Sequence, residues 1–266
     1  ADAKGSLTAM AVTMVELSKQ KIAGKVIFCA VCDEEKAGPS GTEALVKEGI
    51  TGDFTIVGEP TNFEVITAHS GLFRFKVTMQ GKSAHAAMPN MGENAIERLD
   101  EVKALIRKLN MVRNPNWTTD PTCTITMNEG GAAINIIPPI ASASFDLRFQ
   151  PGDSPEKIIE QLQAMVALVG QGSVETLASD PPCVFDPNSV VAKAALKVAG
   201  KNKTAGVPYG TDAVLIPPKN GVIVFGPGKT QYAHSDEEQI ETANIIIAVR
   251  CYKEIVSRCL METLAN

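Results

Sequence analysis

Histidine is scarce in this chain: His69, His85 and His234 are the three present. His85 and His234 stand in polar loops punctuated by glycine or proline, not on apolar faces. Several carboxylates fall where a loop follows an apolar, strand-like run. Asp33-Glu34-Glu35 follows residues 26–32, and Glu59 follows residues 54–57 in Val57-Gly-Glu-Pro60. Asp2 precedes an amphipathic run, and His234 lies just beyond residues 222–225. In an open α/β sheet, loops at the carboxyl ends of strands meet in one crevice, so these groups are expected to converge. Adjacent Glu34 and Glu35 would repel in a bare pocket and one pKa would rise. A divalent cation removes that conflict: one glutamate binds it and its neighbour stays free as a base. Oxygen-plus-imidazole ligation suits Zn²⁺, with Mn²⁺ or Co²⁺ as substitutes. The same residues also fit a solvated pair at a helix start and a turn residue before Pro60, and no single spacing decides between these.

Other features carry less. Gly226-Pro-Gly-Lys-Thr230 suggests a phosphate loop, but that pattern needs a glycine where Ile223 stands. Arg148 alternates with apolar neighbours and fits either a clamp on a substrate carboxylate or a surface ion pair. Asn135 in Gly130-Gly-Ala-Ala-Ile-Asn135 fits a turn, and His69 a structural or surface role. Cys29-Ala-Val-Cys32 sits in what reads as a buried strand, where residues three apart face opposite ways, so inert core thiols are expected.

The elements that must position these groups follow from periodicity. Leu7, Met10, Met14 and Leu17 recur at helical spacing, and Gly24 ends that run. A strand over 26–32 follows, then a short helix opened by the capping box Ser40-x-x-Glu43, then a strand over 54–57. This alternation is the signature of a covered, mostly parallel sheet. The texture then changes. Phe73-Arg-Phe-Lys-Val77 has the period-2 pattern of a half-exposed strand. A helix over 93–109, strands over 122–127 and 141–149, a helix opened by Ser154 and a strand near Val174 complete an α+β unit over 70–179. Ser179-Asp-Pro-Pro182 reads as its exit linker. Afterwards the α/β texture returns: a helix over 189–198, a strand over 222–225, and a long helix opened by Ser235-x-x-Glu238 with Ile240, Ile247 and Ile255 on its apolar side. The economical architecture is an α/β domain (1–69 and 180–266) interrupted by an inserted α+β domain (70–179).

Composition narrows the function classes. With 266 residues, 44% hydrophobic, 21% charged and a formal charge of −5, the chain is an ordinary globular protein, not a disordered tail, collagen or coiled coil. The acidity argues against nucleic-acid binding, which needs a basic face, and leaves metal cations as natural partners. No apolar run approaches the roughly 20 residues of a membrane helix. The first residues do not read as a signal peptide. Six cysteines without a disulfide-framework spacing point to a reduced, cytoplasmic protein.

Taken together, the motifs resemble the M20 metallopeptidase/deacylase family, across essentially the whole chain. Asp2-Ala-Lys-Gly5 is similar to the family's D-x-K-G, and Asp33-Glu-Glu35 with Gly38 and Gly41 to its D-E-E segment. Val57-Gly-Glu-Pro-Thr61 resembles the segment with a third carboxylate. Gly81-Lys-Ser-Ala-His85 through Pro89, Gly92 and Asn94-Ala-Ile96 resembles the lid-domain motif. Asn135-Ile-Ile-Pro138, Asp146-Leu-Arg148, Gly210-Thr-Asp212 and Ala233-His234 match later segments.

The resemblance implies a zinc-peptidase-like catalytic domain with a ferredoxin-like lid and dimerisation domain inserted. It implies a dinuclear zinc amidohydrolase of amino-acid biosynthesis, two ions per intact subunit, with Asp2 bridging, Glu35 and His234 on one ion and Glu59 on the other. Glu34 would be the general base activating a metal-bridging water. His85 would stabilise the oxyanion in the partner subunit of a homodimer. Asn135, Arg148, Gly210 and Thr211 would hold the substrate. That substrate would be a small N-acyl amino acid of the acetylornithine or succinyl-diaminopimelate type. A dipeptidase or carboxypeptidase of the same family is the alternative. The family's first metal-binding histidine lies in an H-x-D segment upstream of D-x-K-G, with no counterpart in these residues. An N-terminally incomplete catalytic domain, or a catalytically silent dimeric binding protein, is therefore also expected.

Overall fold

The computed structural model describes residues 2–36, 39–115, 117, 120–217 and 221–263. Gly38, part of the expected D-E-E segment, lies outside them. The elements run α1 (Lys4–Leu17), α2 (Thr42–Lys47), β1 (Thr55–Val57), β2 (Ile66–His69), β3 (Gly71–Gln80), α3 (Ala95–Ile106), β4 (Thr122–Gly130), β5 (Ile140–Phe149), α4 (Pro155–Val169), β6 (Gly172–Asp180), β7 (Cys183–Val184), α5 (Val190–Ala199), β8 (Ala205–Val207), β9 (Val222–Val224) and α6 (Thr242–Thr263). They form two compact units, 1–69 with 183–266, and 70–182.

The first unit is α/β. Its sheet has the order β1-β9-β2-β7, with β8 also on β2. β1–β9 and β2–β8 are parallel; β2–β9 and β2–β7 are antiparallel. The sheet is therefore evenly mixed, not mostly parallel. One reason is that residues 26–32 form no strand. Their apolar, β-branched composition favours an extended chain, but a strand exists only where a neighbour supplies ladder hydrogen bonds and packing. Among the described residues none pairs with this segment. Ile27 and Val31 are 46% and 40% exposed, and Cys29 and Cys32 are exposed thiols rather than core ones.

Helix α1 buries Gly5, Ser6, Ala9, Thr13 and Leu17; of the expected Leu7-Met10-Met14-Leu17 stripe, Leu17 is buried, Met10 and Met14 are half-buried, and Leu7 is exposed. The backbone comes so close to its neighbours that only small side chains fit: a Cβ on Gly58 would lie 2.8 Å from Ser6 Cβ. The core here joins Ala9, Val191, Ala195, Ile223, Phe225, Tyr252 and Ile255. Both outer capping boxes fail. Gly41, not Ser40, caps α2. Ser235 Oγ donates to the Tyr232 carbonyl, and α6 begins only at Thr242. On α6, Ala248, Tyr252, Ile255 and Cys259 are buried, while Ile247 is exposed.

The second unit is an antiparallel sheet of order β4-β5-β3-β6 built from the chain order β-α-β-β-α-β, a ferredoxin-like arrangement. Alternation along β3 buries Phe73, Phe75, Val77 and Met79 against α3 and α4, and leaves Arg74 and Gln80 exposed. Phe75 stacks on Phe145 with ring centroids 4.8 Å apart. Asn94 and Ser154 cap α3 and α4, accepting from the Ile96 and Lys157 N–H groups. No helix among the described residues is long and apolar enough to cross a membrane.

Phe75 is fully buried in this core. Phe75→Ala should cost about 3–5 kcal/mol in denaturant unfolding, the usual range for a buried aromatic truncated to alanine.

Candidate metal centre

β1 and β9 run parallel in register, Val57 beside Val224, so the loops after them leave from the same edge of the sheet. The first loop carries Glu59 and the second carries His234. Small residues bring the start of α1 to the same place. A Cβ on Gly226 would run into Ser6 Oγ and the Glu59 carbonyl, and would sit 2.8 Å from the Tyr252 hydroxyl. Only glycine fits there. That hydroxyl is buried and donates to the Phe225 carbonyl at 2.8 Å, fixing α6 against the end of β9. Asp2, just ahead of α1, is thereby held beside both loops, and its N–H donates to Glu238 Oε1 at 3.0 Å.

The convergence expected from sequence occurs. Asp2, Glu35 and His234 each offer a ligand atom, all within 4.8 Å of one another. His234 Nε2 is 2.9 Å from Glu35 Oε2 and 3.4 Å from Asp2 Oδ2. A tetrahedral site with bonds of about 2.0–2.1 Å has edges of roughly 3.3 Å, so two oxygens and an imidazole nitrogen at this spacing fit a zinc ion. Asp2 is also hydrogen-bonded to Glu59. It thus stands between the Glu35–His234 pair and the half-buried Glu59. His234 and Asp33 both adopt left-handed backbone, with φ of 56° and 63°, as do Asn62 and Phe63 in the turn after Glu59. Such conformations cost energy for non-glycine residues and gather where a site imposes them.

The electrostatics point the same way. Burial pushes the Glu34 carboxyl up to about 7, and the charges of Asp212, Glu35 and Asp2 add to it while His234 opposes. Burial, followed by Glu34 and Asp2, holds Glu59 well above the usual carboxylate range. Asp212 belongs to this cluster, although in the sequence it stands out only as part of Gly210-Thr-Asp212. Its Oδ2 accepts from Thr42 Oγ1 at 2.6 Å, which ties α2 to the loop after β8. Tyr209, Thr230 and Glu238 give no sign of their roles in the sequence, because their contacts come from distant segments. In the same loop, Thr211 is buried and its hydroxyl accepts from the Ala213 N–H, while Gly210 faces open space. The glycine-rich loop commits its backbone inward: the Gly226 N–H goes to Thr61 Oγ1, and its carbonyl accepts from Phe63. That agrees with rejecting it as a phosphate cradle. His69 is buried.

The remaining site candidates lie on the second unit. His85 forms a bridge with Ile136, and the Ala86 N–H donates to the Asn135 carbonyl, so His85 and Asn135 are neighbours. Gly81 permits this. A Cβ there would strike the Glu93 carbonyl, where the chain doubles back. His85 Nδ1 accepts from the Ala87 N–H at 3.1 Å, which leaves the neutral ring's proton on the exposed Nε2, ready to donate. Arg148 is engaged: its Nε bonds Asp146 Oδ1 at 2.7 Å, and Asp146 also accepts from Arg74.

Residues 67–171 match the peptidase dimerisation domain of the M20 type. A probable carboxypeptidase of Emericella nidulans is 29% identical to this chain over 97% of its length and 66% of the relative's. An acetylornithine deacetylase of Buchnera aphidicola is 27% identical, over 92% and 69%. The chain thus spans about two thirds of the length of the curated relatives it matches. Among solved structures, aminopeptidase PepT of Bacillus cereus superposes with a TM-score of 0.74 at 20% identity, over 96% of this chain and 70% of that one, a likeness of fold.

The raised carboxyl groups make metal-free stability depend on pH. Below about 4.5 Glu34 is protonated in both states; between there and about 7 the folded protein keeps a proton that the unfolded chain has released. Stability should therefore fall as pH rises through that window. Melting in a chelator should show a temperature that declines from pH 4.5 to 7, and added zinc should flatten or reverse the slope.

Proposed function

We propose that this chain carries the metal centre of a zinc-dependent amidohydrolase, which removes the acyl group from an N-acyl amino acid. The observation that carries this reading is Asp2, set between Glu35–His234 on one side and Glu59 on the other. Asp2, Glu35 and His234 would hold one ion, with Glu59 reaching a second through shared Asp2; Co²⁺ or Mn²⁺ would substitute. When bound, zinc supplies Lewis acidity to the scissile carbonyl and to water. Glu34 takes a proton from the attacking water and delivers it to the departing amine, so the amide C–N bond breaks to a carboxylic acid and an amine. Glu34 suits this because it sits beside the proposed ligand Glu35 without belonging to the group of three.

His85 supplies the oxyanion donor through its Nε2–H. It lies on the unit matched to a dimerisation domain, and we assign its action to the partner's site in a homodimer. Asn135, Arg148, Gly210 and Thr211 complete substrate binding. Relatives named acetylornithine deacetylase and succinyl-diaminopimelate desuccinylase favour acyl amino acids of those types. A relative named carboxypeptidase favours the second reading, hydrolysis of a peptide bond by the same centre. The six free cysteines support a reducing, cytoplasmic setting.

Elemental analysis should find about one tightly held zinc per chain, lost in Asp2→Ala. Turnover of a panel of N-acyl amino acids and dipeptides separates the two readings, and zinc binding without any turnover would leave a binding protein. Glu34→Gln should keep the metal and lower kcat by roughly 10²–10⁴-fold.

His85→Ala should lower kcat by about 10²–10³-fold with metal content unchanged. In dimers mixed from His85→Ala and Glu34→Gln chains, one site regains both groups if His85 acts across the interface. Partial recovery is expected; proven subunit exchange without recovery would refute action in trans.

A further inference from the structure

The loops carrying Glu59 and His234 are zipped together along their backbones. Thr61 forms an antiparallel bridge with Lys229, the Asn62 N–H donates to the Gly228 carbonyl at 2.7 Å, and the Phe63 N–H donates to the Gly226 carbonyl at 3.0 Å. At the end nearest Glu59 the Thr61 N–H turns back to the Glu59 carbonyl, and Pro60 has no N–H to offer. Its carbonyl is the remaining handle, and Pro60 is buried. A buried carbonyl left unpaired is costly, so whatever meets it fixes the turn. What meets it is Thr230 Oγ1, donating at 2.7 Å.

Thr230 opens the short 3-10 turn Thr230–Tyr232, after which Ala233 leads to His234. A single hydroxyl therefore joins the residue following Glu59 to the turn that delivers His234. It has a second partner. The Tyr209 hydroxyl lies 3.3 Å from Thr230 Oγ1. The threonine proton is directed at Pro60, so the tyrosine is the donor in that pair. Tyr209 is itself anchored against the core cluster formed by Ile66, Phe185, Val207 and Val224. The chain Tyr209–Thr230–Pro60 thus runs from a fixed aromatic ring, through a loop hydroxyl, to the Glu59 turn.

We propose that Thr230 is a positioning residue of the metal centre, clamping the Glu59 turn to the His234 loop, with Tyr209 holding its hydroxyl in place. This rests on reading the centre as a zinc site. The clamp sets the spacing between groups on separate loops before any ion arrives. Outer-shell contacts of this kind typically change metal affinity by about 10–100-fold when removed.

The test compares zinc dissociation constants, read by competition with a chromophoric chelator, in the unsubstituted chain, Thr230→Val, Thr230→Ser and Tyr209→Phe. Amide exchange at Asn62 in the zinc-free protein provides a second measurement that involves no metal. Valine keeps the shape and loses the hydroxyl, so Thr230→Val should weaken zinc about tenfold or more and speed exchange at Asn62. Serine restores the donor and should stay within about threefold of the unsubstituted chain in both measurements. Tyr209→Phe should fall between them, its bond being the longer. Thr230→Val holding zinc as well as the unsubstituted chain would overturn the proposal, and so would Thr230→Ser failing as badly as valine. If the unsubstituted chain holds no zinc, the metal reading fails separately. Exchange at Asn62 then decides the clamp alone: unchanged rates in Thr230→Val overturn it, and faster rates restored by serine support it.

Discussion

Like charges drawn out of water repel one another and lose hydration at the same time, and the first unit is arranged around that conflict. Asp2, Glu34, Glu35, Glu59 and Asp212 share one neighbourhood, with His234 among them. In the absence of a cation the strain is relieved by protons, which is why burial lifts Glu34 to about 7 and Glu59 higher still. A divalent ion answers the same conflict with more charge and defined geometry. The fold must hold these groups together against their repulsion, and much of its local structure serves that end.

The holding is done by close backbone approach. Gly58 and Gly226 let α1 come against the ends of β1 and β9, with Ser6 between them, and the Tyr252 hydroxyl locks α6 to Phe225. Larger residues at these points would move Asp2 away from Glu59. The left-handed backbones at Asp33 and His234 have the same origin, since their loops turn to aim side chains at a shared point. The Asp212–Thr42 and Thr230–Pro60 hydrogen bonds tie the loops to one another, so placement does not depend on any single strand.

The second unit faces no such conflict. Its core is apolar and aromatic, and its charged face settles into pairs such as Arg74–Asp146–Arg148. A rigid sheet of this kind can present a short loop with little local flexibility. The loop that carries His85 is pinned to 135–139 by backbone bonds, and the ring is oriented by the Ala87 N–H.

Much is legible in the sequence wherever local physics decides. Period-2 alternation in Phe73-Arg-Phe-Lys-Val77 identifies β3, and Ser154 marks the start of α4. Oxygen and imidazole donors near the ends of apolar runs suggest a metal-binding set, and the structure brings Asp2, Glu35 and His234 within 4.8 Å of one another. Tertiary structure alone decides the rest. Residues 26–32 look like a strand, yet strands are made by neighbours, and among the described residues none pairs with this one. Leu7 and Ile247 look like core residues, but close packing selects Ser6, Ala9 and Ala248 instead. Tyr209 and Thr230 give no local sign of their pairing, because their partners lie 21 and 170 residues away along the chain. Sequence determines which groups are present and which local conformations they favour. Which of them meet is a property of packing between distant segments, and only the folded chain specifies it.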